Sequence, residues 1–167
     1  METIDRIPVT LDRGAVAERL RFNPARAGAG GLDFDGLLDQ ARSLIVLRAV
    51  YEISYTGAKG ADTVEVAGVT FHSRILRRNL DQAQKVFPFI MTVGPALEAA
   101  AAASGDLLKQ YYLEEMANMA LGEGAAWLAA RLSERWGFPA LSSMDPGSLE
   151  DWPITEQPKL FSIFGDT

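Results

Sequence analysis

The stretch Met144-Asp145-Pro146-Gly147-Ser148-Leu149-Glu150-Asp151-Trp152-Pro153 packs two prolines, a glycine, three carboxylates and a tryptophan into one short segment. Neither a regular helix nor a central strand passes through it, because proline lacks the backbone donor and fixes φ. Pro146-Gly147 reads as the middle of a type II turn, with proline presetting φ and glycine accepting φ > 0. The run that follows, Ile154-Thr155-Glu156-Gln157-Pro158-Lys159-Leu160-Phe161-Ser162-Ile163-Phe164, is short and amphipathic. The plainest reading is a surface turn leading into a docking helix. Loops also carry function more often than cores do, so Asp145, Pro146, Gly147, Ser148 and Trp152 are candidate ligand contacts.

The 167 residues suit one domain spanning 1–167, long enough to bury a core. An apolar fraction of 48% with 23% charged residues is the balance of a globular protein. The net charge of −6 gives no electrostatic footprint for nucleic acid. The absence of cysteine excludes disulfides, thiolate catalysis and thiolate-held zinc or iron–sulfur clusters, and fits a reducing cytoplasm. His72 is the only histidine, so no multi-histidine metal site can form. No apolar run approaches the roughly 20 residues that span a bilayer, and Met1 to Arg6 lacks a signal-peptide hydrophobic region.

Upstream of the loop, Asp106 to Trp136 predicts the longest helix, closed by Gly137-Phe138-Pro139. At about 100° per residue, Tyr112, Met116, Met119, Ala126 and Ala130 share one stripe, with Glu114, Asn118 and Ser133 opposite. Glu123 lies on the apolar stripe, flanked by Gly122 and Gly124. A carboxylate there must be paired, hydrogen-bonded or protonated. It is either an internal salt bridge or a ligand contact, with the glycines admitting something close to the helix. Val86 to Val93 is a near-continuous apolar run, as expected of a strand covered on both faces. Gly94-Pro95 ends it and opens an alanine-rich helix, broken at Ser104-Gly105.

The N-terminal half alternates short strands and helices. Thr3 to Leu11 reads as a strand, with Pro8 favouring an edge. Asp12 caps a helix through Arg21. Asn23 to Gly31 is a loop whose Gly28-Ala29-Gly30-Gly31 lacks phosphate-binding spacing. Asp33 opens a helix with Phe34, Leu37, Leu38, Ala41, Leu44 and Ile45 on one face. Tyr51, Ile53 and Tyr55 alternate with Glu52 and Ser54 as a half-buried strand. Gly57 to Gly60 is a turn. Val64 and Val66, then Val69 and Phe71, form two more strands. Arg74 to Gln84 reads as a polar helix whose Arg74, Arg77 and Arg78 form a solvated face. No Gly-x-Ser-x-Gly occurs, and no nucleophile is placed beside His72.

Residues 143–161, Ser-Met-Asp-Pro-Gly-Ser-Leu-Glu-Asp-Trp-Pro-Ile-Thr-Glu-Gln-Pro-Lys-Leu-Phe, resemble the C-terminal signature of stand-alone proteins similar to the activation domain of cobalamin-dependent methionine synthase. Val86-Phe-Pro-Phe-Ile-Met-Thr-Val-Gly-Pro-Ala-Leu-Glu is similar to a second signature of that group, and the long helix with Glu123 to a third. The resemblance covers about half the chain. It implies an α+β fold: a twisted, mainly antiparallel sheet with flanking helices, one of them long. It also implies further strands after Thr167, so the domain is expected to be truncated at its C-terminus. In methionine synthase the activation domain binds S-adenosylmethionine and docks on the cobalamin domain after the cofactor has oxidised to cob(II)alamin. An electron from a flavodoxin-type donor then lets a methyl group move to cobalt.

The family motif for S-adenosylmethionine is Arg-x-x-x-Gly-Tyr. Gly147 matches its glycine, whereas Ser143 stands at the arginine and Ser148 at the tyrosine. A serine cannot supply the planar fork that holds a carboxylate, which tells against S-adenosylmethionine binding in its usual form. Glu123 corresponds to a ligand-contacting glutamate on the family's long helix.

Three functions remain open at this level. The first is an accessory component of a cobalamin-dependent methionine synthase or related corrinoid methyltransferase, with cobalamin and the chemistry on the partner. The second is a small-molecule-binding enzyme, and the third an interaction module that has kept the fold and lost the ligand. The acidic charge would repel an acidic electron donor unless Arg74, Arg77 and Arg78 form a local basic patch. A site built from Glu123 and residues 145–148, with Trp152 as an apolar wall, would accept a polar or zwitterionic small molecule.

Overall fold

The computed structural model describes residues 1–23 and 32–165; the glycine-rich stretch Gly28–Gly31 lies outside them. Among the described residues seven strands and six helices follow one another in the order β1 (Glu2–Ile4), α1 (Arg13–Arg19), α2 (Phe34–Leu44), β2 (Arg48–Tyr51), β3 (Ser54–Lys59), β4 (Thr63–Val66), β5 (Val69–His72), α3 (Arg74–Asn79), β6 (Lys85–Val86), β7 (Phe89–Thr92), α4 (Pro95–Ala103), α5 (Leu107–Trp136) and α6 (Gln157–Ser162). A single 3-10 turn, Ile154–Glu156, precedes α6. The strands form a three-stranded sheet of order β1-β2-β7 and a four-stranded sheet of order β5-β4-β3-β6. The second is antiparallel throughout. The fold is therefore α+β with antiparallel pairing and one long helix.

Two compact units divide the chain. One comprises Met1–Thr3, Val50–Ile90 and Ser142–Thr167, the other Ile4–Ala49 and Met91–Leu141. In the first, α3 packs on β4 and α6 on β5. Its core is small: Val64, Val66, Phe71, Leu76 and Trp152, with Met144, Leu149, Leu160 and Ile163 against them. The β4–β5 hairpin pairs Val66 with Val69, and its two turn residues both have positive φ, Ala67 at 53° and Gly68 at 77°. That is a type I′ turn, whose twist suits a hairpin.

In the second unit, α2, α4 and α5 pack on one another. Their core runs from Ile7 and Leu11 through Phe34, Leu38 and Leu47 to Leu97, Leu113 and Met116. α1, α2 and α5 start where the sequence provides a cap. Asp12 accepts from the Ala15 amide at 2.9 Å, Asp33 from Gly36 at 2.9 Å, and Asp106 from Leu108 at 2.9 Å. α5 ends at Gly137, whose φ of 68° completes a left-handed C-cap.

Several expected elements differ. The first strand stops at Ile4. Residues 51–55 do not form one strand: β2 ends at Tyr51 and β3 begins at Ser54 and runs on through Lys59. The expected helix 74–84 ends at Asn79, where Lys59 Nζ donates to the Leu80 and Asp81 carbonyls at 2.8 Å each. The apolar run 86–93 is split at Pro88 into β6 and β7. Each lies at a sheet edge and is half-buried, not covered on both faces. Pro88 has no amide to offer a ladder, but its carbonyl accepts from the Glu52 amide at 3.0 Å.

On α5 the buried stripe is Leu113, Met116, Ala120, Gly124, Leu128 and Leu132. Tyr112 and Met116 of the expected stripe are buried, while Ala126 and Ala130 are exposed. Gly124 is the point of closest approach: a Cβ there would come within 3.0 Å of Leu47 Cδ2 and Met91 Sδ. At Gly122 a Cβ would meet nothing within 4 Å. Gly122→Ala is therefore expected to stabilise the protein by about 0.5–1 kcal/mol through helix propensity. Gly124→Ala is expected to destabilise it by about 1–2 kcal/mol through overpacking that outweighs the same gain. Paired denaturation curves check both signs, and equal shifts for the two variants would contradict the packing argument.

Candidate functional site

Glu123 is half-buried on α5, and its carboxylate is fully engaged by its own chain. Oε2 accepts from the Thr10 amide at 2.8 Å and Oε1 from the Leu11 amide at 3.0 Å. Leu11 is fully buried with a left-handed φ of 46°, unusual for a leucine. Its carbonyl accepts from Arg42 Nη2 at 2.8 Å, and the next residue caps α1. The carboxylate thus pins a turn that α2 also grips. Of the states open from sequence, the carboxylate is hydrogen-bonded, to backbone amides and not to an arginine. It is a charge-assisted clamp on two consecutive backbone donors. Likewise, the group that approaches the glycine beside it is the chain's own Leu47 and Met91.

The other five candidates lie in the first unit. Pro146 and Gly147 form the expected turn, with Gly147 at φ 99° and the Ser148 amide donating to the Asp145 carbonyl at 2.9 Å. Ser148 reinforces it: its hydroxyl donates to the Asp145 carbonyl at 2.7 Å and accepts from the Asp145 amide at 3.0 Å. The Gly147 amide donates to the Trp152 carbonyl at 2.7 Å. The donors expected to face a ligand are therefore used inside the loop. Trp152 is buried at 4% exposure and meets Phe71 edge-to-face, with centroids 5.8 Å apart. It is a core anchor in this unit, not the wall of a cleft. Asp145 and Glu150 are exposed.

The loop's third carboxylate has the structural role. Asp151 accepts from the Ser73 hydroxyl, from the Arg74 amide at 2.7 Å and from the Ile75 amide at 3.3 Å. Ser73 in turn accepts from the Leu76 amide at 2.9 Å. Together they cap α3, whose Ser-x-x start was the only sequence signal for this. The Asp151 pKa is lowered, first by the Ser73 hydrogen bond, then by the Ile75 and Arg74 amides and the Arg74 charge, against opposing desolvation. A folded pKa below the unfolded value means stability present above about pH 4 and lost as pH falls through the folded pKa. Asp151→Asn is expected to lower the melting temperature at pH 7, with the gap to wild type closing below that range. Melts as a function of pH check this, and a gap independent of pH would rule it out.

No family model, curated protein or solved structure matches the chain.

Two open cavities lie elsewhere. One, of about 430 Å³, is lined by Arg19, Leu20, Arg21, Tyr111 and Glu115 in the second unit. The other, of about 500 Å³, is lined by Tyr55, Thr56, Gly57, Lys59 and residues 81–84 in the first. Neither includes one of the candidate ligand contacts. Among the described residues no group of three or more histidine, aspartate or glutamate side chains is arranged to hold a metal ion, and no helix is long and apolar enough to cross a membrane. His72 is exposed at the end of β5. Arg77 is paired with Asp81 at 2.6 Å, whereas Arg74 and Arg78 are exposed.

Proposed function

We propose that this chain is an accessory component of a cobalamin-dependent methionine synthase or a related corrinoid methyltransferase. It docks on the partner's cobalamin-binding domain and supports reductive reactivation there. The cobalamin and the bond-making belong to the partner. The reading rests on the resemblance of residues 143–161 and 86–98 to the activation-domain signatures. One structural observation carries the choice of docking over ligand capture: Glu123 and the amides of Gly147 and Ser148 are engaged within the chain. What the C-terminal segment offers outward is Ile154, 58% exposed, and Phe161, 42% exposed, together with the exposed carboxylates of Asp145 and Glu150. Arg74 and Arg78 are exposed cations available to an acidic electron donor.

The residues do not fit S-adenosylmethionine in its usual mode. Ser143 and Ser148 replace the fork and the ring, and the Ser148 hydroxyl is already bonded to Asp145. This favours, as a second reading, an interaction module that keeps the fold without the ligand. A visible-range difference spectrum of a cob(II)alamin-loaded partner, with and without this chain, tests the first reading. A saturable shift in the cobalt bands is expected, and an unchanged spectrum at saturating protein would refute it. Calorimetry with S-adenosylmethionine tests the second, for which no heat, or a millimolar constant, is expected. Each lost charged contact weakens binding by about 1.5–3 kcal/mol, so a low-micromolar constant would restore ligand binding to the site.

A further inference from the structure

Three non-glycine residues have positive φ among those described: Leu11, Arg21 and Ala67. Leu11 is held by Glu123 and Arg42, and Ala67 sits in the type I′ hairpin. Arg21 has neither excuse. It follows α1 at the C′ position of a Schellman motif: the Phe22 amide bonds the Ala17 carbonyl at 2.9 Å and the Arg21 amide bonds Glu18 at 3.0 Å. Glycine suits that position, and an L side chain there is strained. Arg21 is exposed at a φ of 50°, so burial does not compensate the strain. It has no ion-pair partner among the described residues.

Arg21 lines the cavity of about 430 Å³ with Arg19, Leu20, Tyr111 and Glu115. Arg19 pairs with Glu115 at 3.1 Å, and Asn118 donates to the same carboxylate at 3.3 Å. That pair cancels within the cavity and leaves the Arg21 charge uncompensated, in a chain whose net charge is −6. The lining is mostly polar: Leu20 is buried at 7% exposure, and Tyr111, 49% exposed, offers an accessible ring. The volume lies in the range of small-molecule sites.

We propose that this cavity binds a small organic anion, a carboxylate or phosphate ester carrying a flat ring. The Arg21 guanidinium forks onto the anionic group. The ring of the ligand lies against Tyr111. Backbone strain is tolerated at Arg21 because the binding function needs a guanidinium where the helix end would take glycine. The inference is independent of the corrinoid reading.

The test uses the full chain with phenyl phosphate, inorganic phosphate and benzyl alcohol, titrated by calorimetry. Phenyl phosphate is expected to bind saturably and more tightly than either fragment. Arg21→Gly is expected to weaken it by about tenfold to a hundredfold while raising the melting temperature by about 2–4 °C. Arg21→Lys keeps the charge without the fork and should fall between. Tyr111→Ala should bring phenyl phosphate down to the affinity of inorganic phosphate. Gain of stability with loss of binding is a signature that a structural arginine would not give. Unchanged phenyl phosphate affinity in Arg21→Gly, or no saturable binding in the wild type at millimolar concentration, overturns the proposal.

Discussion

Trp152→Ala is expected to destabilise the protein by about 3–5 kcal/mol, the range for deleting a large aromatic from a packed core. Its core cluster has few buried side chains, namely Val64, Val66, Phe71, Leu76 and Trp152, and the indole meets Phe71 edge-to-face at 5.8 Å. Removing it also loosens the loop, since the Trp152 carbonyl holds the Gly147 amide and the Trp152 amide reaches Leu149 at 3.2 Å. Asp151, the neighbour that caps α3, depends on that loop staying in place. One feature opposes the burial: Trp152 Nε1 is buried without a hydrogen-bond partner among the described residues. An unsatisfied donor costs about 1–3 kcal/mol. Trp152→Phe removes that donor and keeps most of the ring, so its loss is expected to stay below about 1.5 kcal/mol. Urea denaturation of both variants checks the pair. A Trp152→Ala protein within 1 kcal/mol of wild type, on the scale of an ordinary surface substitution, would mean that the tryptophan does not anchor the segment.

Local chemistry was legible in the sequence wherever one residue decides it. Asp12, Asp33 and Asp106 announce their helices because a carboxylate suits the orphan amides of a first turn. Gly137 closes α5, and Pro146-Gly147 makes its turn, because few residues besides glycine take positive φ without strain. The long-range pairings were not legible. Glu123 finds amides at Thr10 and Leu11, more than a hundred residues away. Backbone donors are the same at every position, so no sequence pattern marks them as partners. The α5 stripe was misplaced for a related reason. Alanine satisfies an apolar pattern on any face, which let Ala126 and Ala130 count, while the contact glycine at 124 has no side chain to be counted. At Pro88 the apolar composition suggested a buried strand, and the missing amide decided for a break between two sheet edges. The cavity at Arg21 had a faint signal, an arginine where the end of α1 would take glycine. It could be read only once that end was known.

Glu123→Ala is expected to destabilise the protein by about 2–4 kcal/mol. Two charge-assisted hydrogen bonds are lost, each of the kind that contributes about 1.5–3 kcal/mol, and the two overlap because they share one carboxylate. The buried Leu11 makes the turn rigid: its left-handed φ is maintained against the preference of a leucine by Glu123 on its amide and Arg42 on its carbonyl. With the carboxylate gone, the Thr10 and Leu11 amides keep only water as a partner. Glu123→Gln separates charge from shape. Its carbonyl oxygen still accepts from one amide, but its NH₂ group is a donor facing another donor. The glutamine variant is therefore expected to lose stability as well, by about 1–3 kcal/mol, despite its near-identical volume. For a chain of this length the alanine variant should melt about 5–15 °C lower. A ligand-contacting glutamate would behave in the opposite way. Freed of its ligand, such a carboxylate gains nothing from the fold, and its neutral replacement leaves the melting temperature unchanged or raises it. A Glu123→Gln protein as stable as wild type would thus remove the clamp from Glu123 and return the residue to the list of ligand contacts.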